Sequence, residues 1–144
     1  MFIVKNIIVI CTGNSCRSQM AEGWLKYLNP NLNIYSAGVN PEKVNKYAIK
    51  VMNEVGIDIS KNSSNNIQEY KNMTFDYVIT VCDNAKENCP ILIGDHKQIH
   101  YNFPDPAKER GEDDYLIKKY SEVRDMIKEF LIDFCSERGL DKIY

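Results

Sequence analysis

Apolar residues in this chain follow two rhythms: short unbroken β-branched runs, and longer stretches in which every third or fourth position is apolar. The first rhythm opens at residues 2–10, where Ile7-Ile8-Val9-Ile10 predicts a strand buried on both faces. A helix is predicted over 18–28, with Met20, Trp24, Leu25 and Leu28 on one face, Trp24 in the core, and Asn29-Pro30 as the stop. Residues 32–38 form a second short strand ending at Ser36-Ala37-Gly38, which completes a strand-helix-strand unit. Val44, Ala48, Val51, Met52 and Val55 share a face over 44–55, a second helix closed by Gly56. The polar stretch 61–66 reads as a mobile loop into a short helix at 67–70. Strands follow at 75–82, ending on Cys82, and at 98–103, closed by Pro104-Asp105-Pro106. Leu116, Tyr120, Val123, Ile127, Phe130, Leu131 and Phe134 recur by threes and fours as a long C-terminal helix, with Cys135 beside its apolar face as a core thiol.

Strands alternating with helices predict an α/β fold: a single-domain, doubly wound, parallel four-stranded sheet flanked by helices, spanning 1–144. Ligands of such sheets sit outside the carboxyl ends of the strands, and Cys11, Cys82 and Asp105 all fall there. The 144 residues, 44% hydrophobic and 26% charged, suit one soluble core. A formal charge of −2 gives no reason to expect a nucleic-acid or membrane partner. The apolar start is too short for a signal sequence or a span, so a cytoplasmic monomer is expected. Five cysteines, an odd count, fit reactive roles better than a disulfide framework.

Between the first strand and the first helix lies CTGNSCRS, residues 11–18. Strand, loop and helix in that order aim backbone N–H groups and the positive end of the helix at one spot, where an anion would sit. The backbone of Thr12, Gly13, Asn14, Ser15, Cys16 and Arg17 would form the cradle, and Gly13 and Asn14 tolerate the left-handed conformation that a tight anion nest needs. Cys11 and Arg17 then face the same oxyanion, one with a thiol and the other with a planar two-pronged cation. A cysteine in that setting is expected to act as a thiolate nucleophile, and Ser18 can place a hydroxyl near its sulfur. Asp105, stiffened by a proline on either side, suits a general acid for the departing oxygen; the plainer role for it is to cap the following turn.

The segment CTGNSCRSQMAEG resembles the phosphate-binding loop of the low-molecular-weight tyrosine phosphatase superfamily, and in particular that of the thioredoxin-coupled arsenate reductases. VCDNAKENCP resembles the redox segment of the latter, and NIYSAG, DIS and DPA extend the likeness through most of the chain. Reducing arsenate takes two electrons, so a second thiol must attack the first thiol adduct. Cys82 sits at a strand end near the loop and can do so, leaving a disulfide with Cys11 that Cys89 can attack in turn. Seven residues along an intact helix separate Cys82 and Cys89 by about 10.5 Å. A disulfide needs roughly 4.4 to 6.8 Å between Cα atoms, so forming it must unwind the helix. The resemblance implies that Cys11 is the nucleophile, Arg17 the oxyanion clamp, Ser18 the thiolate stabiliser, Asp105 the acid, and Cys82 and Cys89 the relay thiols, with Cys16 non-catalytic. It implies arsenate as substrate, phosphate or sulfate as analogues, thioredoxin as reductant, and no tightly bound cofactor beyond a potassium ion at Asn14, Glu22, Ser36 and Asn65. Asn65 stands where the family pattern has an aspartate, which weakens that site. The alternative reading is a tyrosine phosphatase whose extra cysteines protect Cys11, but Ala107 follows Asp105-Pro106 where such phosphatases usually carry an aromatic residue. A non-catalytic redox sensor or phosphopeptide binder would also keep the anion loop. Zinc held by Cys82, Cys89, His96 and His100 is disfavoured by the six residues between the cysteines.

Overall fold

The computed structural model describes residues 5–90 and 92–140, so positions 2–4 of the first predicted strand lie outside the described residues. That strand, β1, runs Asn6–Cys11, and Ile7, Ile8, Val9 and Ile10 are each fully buried, as an apolar run with no polar face requires. It pairs in parallel with β2 (Asn33–Gly38) on one side and β3 (Tyr77–Thr80) on the other, and β4 (Lys97–His100) joins β3, giving the order β2-β1-β3-β4. The register sets Cys11 beside Gly38, Ile10 beside Thr80, and Thr80 beside His100. All the chemistry predicted from the sequence therefore emerges at one carboxyl edge.

Helix α1 (Arg17–Leu28) starts as the loop ends, α2 is Lys46–Glu54, α3 is Asp83–Asn88 and α4 is Asp113–Glu137. Helices α1, α2 and α4 pack on one another, whereas α3 rests on β1 and β3. Trp24 is buried against α4, with its indole N–H donating to the Arg124 carbonyl at 3.1 Å. Cys135 is buried on α4 as expected. No described helix is long and apolar enough to cross a membrane.

Where the bounds differ from the apolar pattern, polar caps explain the difference. Asn45 accepts from the N–H groups of Tyr47 and Ala48, so α2 begins after it and Val44 lies outside the helix. Helix α4 starts three residues before its first apolar position because Asp113 and Asp114 suit the positive end of a helix. The stretch 61–66 is the loop into a short helix that its composition predicts, and its polar groups are tied to the anion loop behind it. Ser64 and Asn65 bond to Asn14, Gln19 donates to the Ser63 carbonyl, and Asn66 with Glu69 forms a capping box on the 3-10 helix Ile67–Tyr70.

Candidate active site

The loop after β1 turns tightly because Asn14 adopts a left-handed conformation, with φ of 47°. Gly13, expected to share that role, does not. It is Asn14's side chain that makes the left-handed conformation tenable: its Oδ1 accepts from the Asn65 N–H at 2.8 Å, and its Nδ2 donates to Ser18 Oγ at 2.8 Å and Ser36 Oγ at 2.9 Å. Ser18 Oγ accepts from Asn14 and lies 2.9 Å from Cys11 Sγ. The Asn14 N–H meets the same sulfur at 3.2 Å. A hydroxyl and a backbone N–H thus both meet the Cys11 sulfur.

Arg17 is held in place from beyond the loop. Its Nη1 donates to the Phe103 carbonyl at 3.0 Å and its Nη2 lies 3.5 Å from Asp105 Oδ2. The plainer role weighed for Asp105 is present: its other oxygen accepts from the Ala107 N–H at 3.0 Å and caps the turn that follows. One carboxyl oxygen is thus fixed by the backbone while the second faces the anion site, where an incoming oxyanion would take over the Arg17 prong.

Cys82 is the N-cap of α3: its sulfur accepts from the Ala85 N–H at 3.4 Å and lies 3.3 Å from Thr12 Oγ1 in the anion loop. Thr12 donates its proton to Asn84 Oδ1 at 3.0 Å, so in the reduced form the Cys82 thiol is the donor to Thr12. Cys89 closes the other end of α3, half-buried, and burial pushes its thiol above the ordinary value. The loop cysteine Cys16 is buried, and desolvation first, then its proximity to Cys11 and Asp105, pushes its thiol far up.

The residues assigned to potassium do converge behind the loop, but their oxygens already have donors. Glu22 Oε1 accepts from Ser36 at 2.7 Å, and Glu22 Oε2 accepts from Lys26 Nζ at 2.9 Å and from Asn62 Nδ2 at 3.0 Å. Asn14 Oδ1 is taken by the Asn65 N–H, and Asn65 Oδ1 by the Ser63 hydroxyl at 3.1 Å. With the Lys26 ammonium on the carboxylate, the residues present do not fit a further cation. Among the described residues no cluster of three or more His, Cys, Asp or Glu side chains can hold a metal, so nothing supports the zinc arrangement.

Motif spacing gave no role to Asn84 beside Cys82, to Gln19, Asn62 and Lys26 behind the loop, or to Asp83 at the foot of α3; it named Thr12 only for its backbone and His100 only in the disfavoured zinc set.

The chain matches the family model of low molecular weight phosphotyrosine protein phosphatases over residues 6–142. It is 48% identical over 126 residues to arsenate reductase 1 of Staphylococcus saprophyticus, covering 86% of this chain and 91% of that one. It is 43% identical over 131 residues to the arsenate reductase of Bacillus subtilis, covering 90% and 94%. The solved structure of an arsenate reductase in its oxidised state superposes with a TM-score of 0.80 at 28% identity, over 93% of this chain and 98% of that one.

Proposed function

The chain belongs to the low-molecular-weight phosphotyrosine protein phosphatase family, and, with relatives of 43% and 48% identity that are arsenate reductases, we propose that it reduces arsenate to arsenite through a three-thiol relay regenerated by thioredoxin. Arsenate enters the cradle of residues 12–17, with Arg17 bidentate on its oxygens. The Cys11 thiolate attacks arsenic, Asp105 protonates the oxygen that leaves as water, and a Cys11 thioester of arsenic(V) forms. The Cys82 thiolate then attacks the Cys11 sulfur. The sulfur–arsenic bond breaks with its electron pair going to arsenic, arsenite departs, and the two thiols become a disulfide. Cys89 attacks the Cys82 sulfur and expels the Cys11 thiolate, which restores the anion loop. The remaining disulfide, between Cys82 and Cys89, is reduced by the dithiol of thioredoxin.

The observation that carries this reading is the contact between Cys82 Sγ and Thr12 Oγ1 at 3.3 Å, which sets a second thiol against the loop that holds the first. A hydrolase needs no such thiol. The protein is expected to work as a cytoplasmic monomer. No step is routed through potassium, since Lys26 supplies the positive charge at Glu22.

Weak phosphatase activity is a second expectation, because phosphate shares arsenate's charge and shape. A cleft of about 300 Å³ lined by Tyr47, Tyr120, Pro106 and Ala107 adjoins the Asp105 turn and offers room for an aryl group.

The test is arsenate-dependent NADPH oxidation coupled through thioredoxin and its reductase, for the wild type beside Cys82→Ser and Cys89→Ser. Both variants should lose at least a hundredfold of turnover. Equal hydrolysis of an aryl phosphate by all three proteins, with no arsenate turnover, would establish the phosphatase reading instead.

A further inference from the structure

His100 is the last residue of β4, two strands away from Cys11, and the chemistry above does not use it. Its ring is nevertheless held at both nitrogens. Nδ1 lies 2.7 Å from the hydroxyl of Thr80, a fully buried residue, and Nε2 lies 2.8 Å from Asp83 Oδ1. With a neutral ring the network closes without conflict: the Thr80 hydroxyl donates to Nδ1, and the Nε2 proton goes to Asp83. Asp83 is the first residue of α3 and directly follows Cys82. A second tie grips the same residue, since the Asp83 N–H donates to Asn102 Oδ1 at 3.2 Å.

We propose that His100 is a positioning residue of the relay, which anchors α3 to the sheet through Asp83 and thereby sets how readily the disulfide between Cys82 and Cys89 closes. The inference rests on the relay reading above. The anchor belongs to the reduced form. In that form Cys82 caps α3, its sulfur accepting from Ala85 and its carbonyl accepting from the Lys86 N–H at 3.2 Å. Closing the disulfide takes that sulfur away from Ala85 and brings together ends that an intact helix holds about 10.5 Å apart. The first turn cannot survive this, and Asp83 leaves His100 with it.

An exposed carboxylate meeting an imidazole is ordinarily a weak tie, because both partners are free to move. Here one partner is not free. The ring is only 19% exposed and is fixed at its far nitrogen by a residue inside the sheet, so the bond to Asp83 is pre-oriented. Its loss should therefore register as a shift in the dithiol–disulfide balance: the reduced helical form loses a contact that the oxidised form does not make.

The experiment equilibrates the full-length protein at pH 7.5 with graded ratios of reduced to oxidised dithiothreitol. Free thiols are then alkylated, and the Cys82 to Cys89 disulfide is quantified by peptide mass mapping. His100→Ala and Asp83→Ala, which cut the tie from opposite sides, should each raise the equilibrium constant for disulfide formation about three- to tenfold. His100→Gln, which keeps a donor near the Nε2 position, should return it most of the way to the wild-type value. A global loss of stability would not give this pattern, because both redox forms would share it. Variants matching a wild type that does form the disulfide would overturn the anchor and leave the relay standing. A wild type that forms no such disulfide would overturn both.

Discussion

At the scale of single residues, the site separates two cysteines that lie five positions apart in one loop. Cys11 meets a hydroxyl and an amide N–H, whereas Cys16 is surrounded by packing and by groups that oppose its ionisation. The consequence for stability follows from linkage. Cys16 keeps its proton in the folded protein well above the ordinary value of 9.0, so above that pH the unfolded chain binds fewer protons than the folded one. Stability should be intact below pH 9 and should fall as pH rises further, by up to about 1.4 kcal/mol per pH unit. Tyr120, pushed up to about 12 chiefly by burial and then by Cys16, extends the decline at higher pH. Urea midpoints measured from pH 8 to 10.5 should show this slope, and Cys16→Ala should flatten its lower part; equal slopes in both proteins would contradict the assignment. The loop with Cys11, Asn14, Arg17 and Ser18 was legible from the sequence, because the filled motif CTGNSCRS is far more specific than a bare cysteine-to-arginine spacing. Their supports were not. Lys26, Asn62 and His100 carry no motif and acquire meaning only when the fold brings Glu22 or Asp83 to them.

At the scale of elements, the anion loop is shaped by the strand beside it as much as by its own residues. Gly38 ends β2 opposite Cys11, and a Cβ there would lie 2.6 Å from the Thr12 carbonyl oxygen and 2.8 Å from the Asn14 nitrogen. Both are backbone atoms of the cradle, so the loop would have to move. Gly38→Ala should cost about 1–3 kcal/mol of stability, and it should weaken competitive inhibition by phosphate at least tenfold. Wild-type inhibition by phosphate would show that the loop tolerates the shift. Apolar rhythm located the four strands and the helices α1, α2 and α4, because burial decides where they form, whereas the polar α3 and the 3-10 turn Pro106–Lys108 carry no such rhythm. It misplaced their ends, because ends are set by polar caps such as Asn45 and the acidic first turn of α4. It also gave no sign that 61–66 bonds to the back of the anion loop, since asparagine and serine look alike whether they face water or protein.

At the scale of the whole molecule, the parallel register does the assembling. Residues as distant as Cys11, Cys82 and Asp105 share one edge because β1, β3 and β4 run the same way and end level with one another. That much follows from alternating strands and helices, and it was legible before any coordinates. The Cys82 and Cys89 pair was singled out from the sequence as well, but the tie of the short helix between them to the sheet was not, because it depends on His100 meeting Asp83 only once β4 is in place. The central claim is that electrons reach arsenate from Cys11 and Cys82 before Cys89 takes part. Mixing reduced Cys89→Ser with one equivalent of arsenate, with no other reductant present, tests it most directly. The account predicts one arsenite released per protein molecule, together with a disulfide between Cys11 and Cys82 located by peptide mass mapping. Absence of arsenite, or arsenite appearing while Cys82 remains a free thiol, would contradict it.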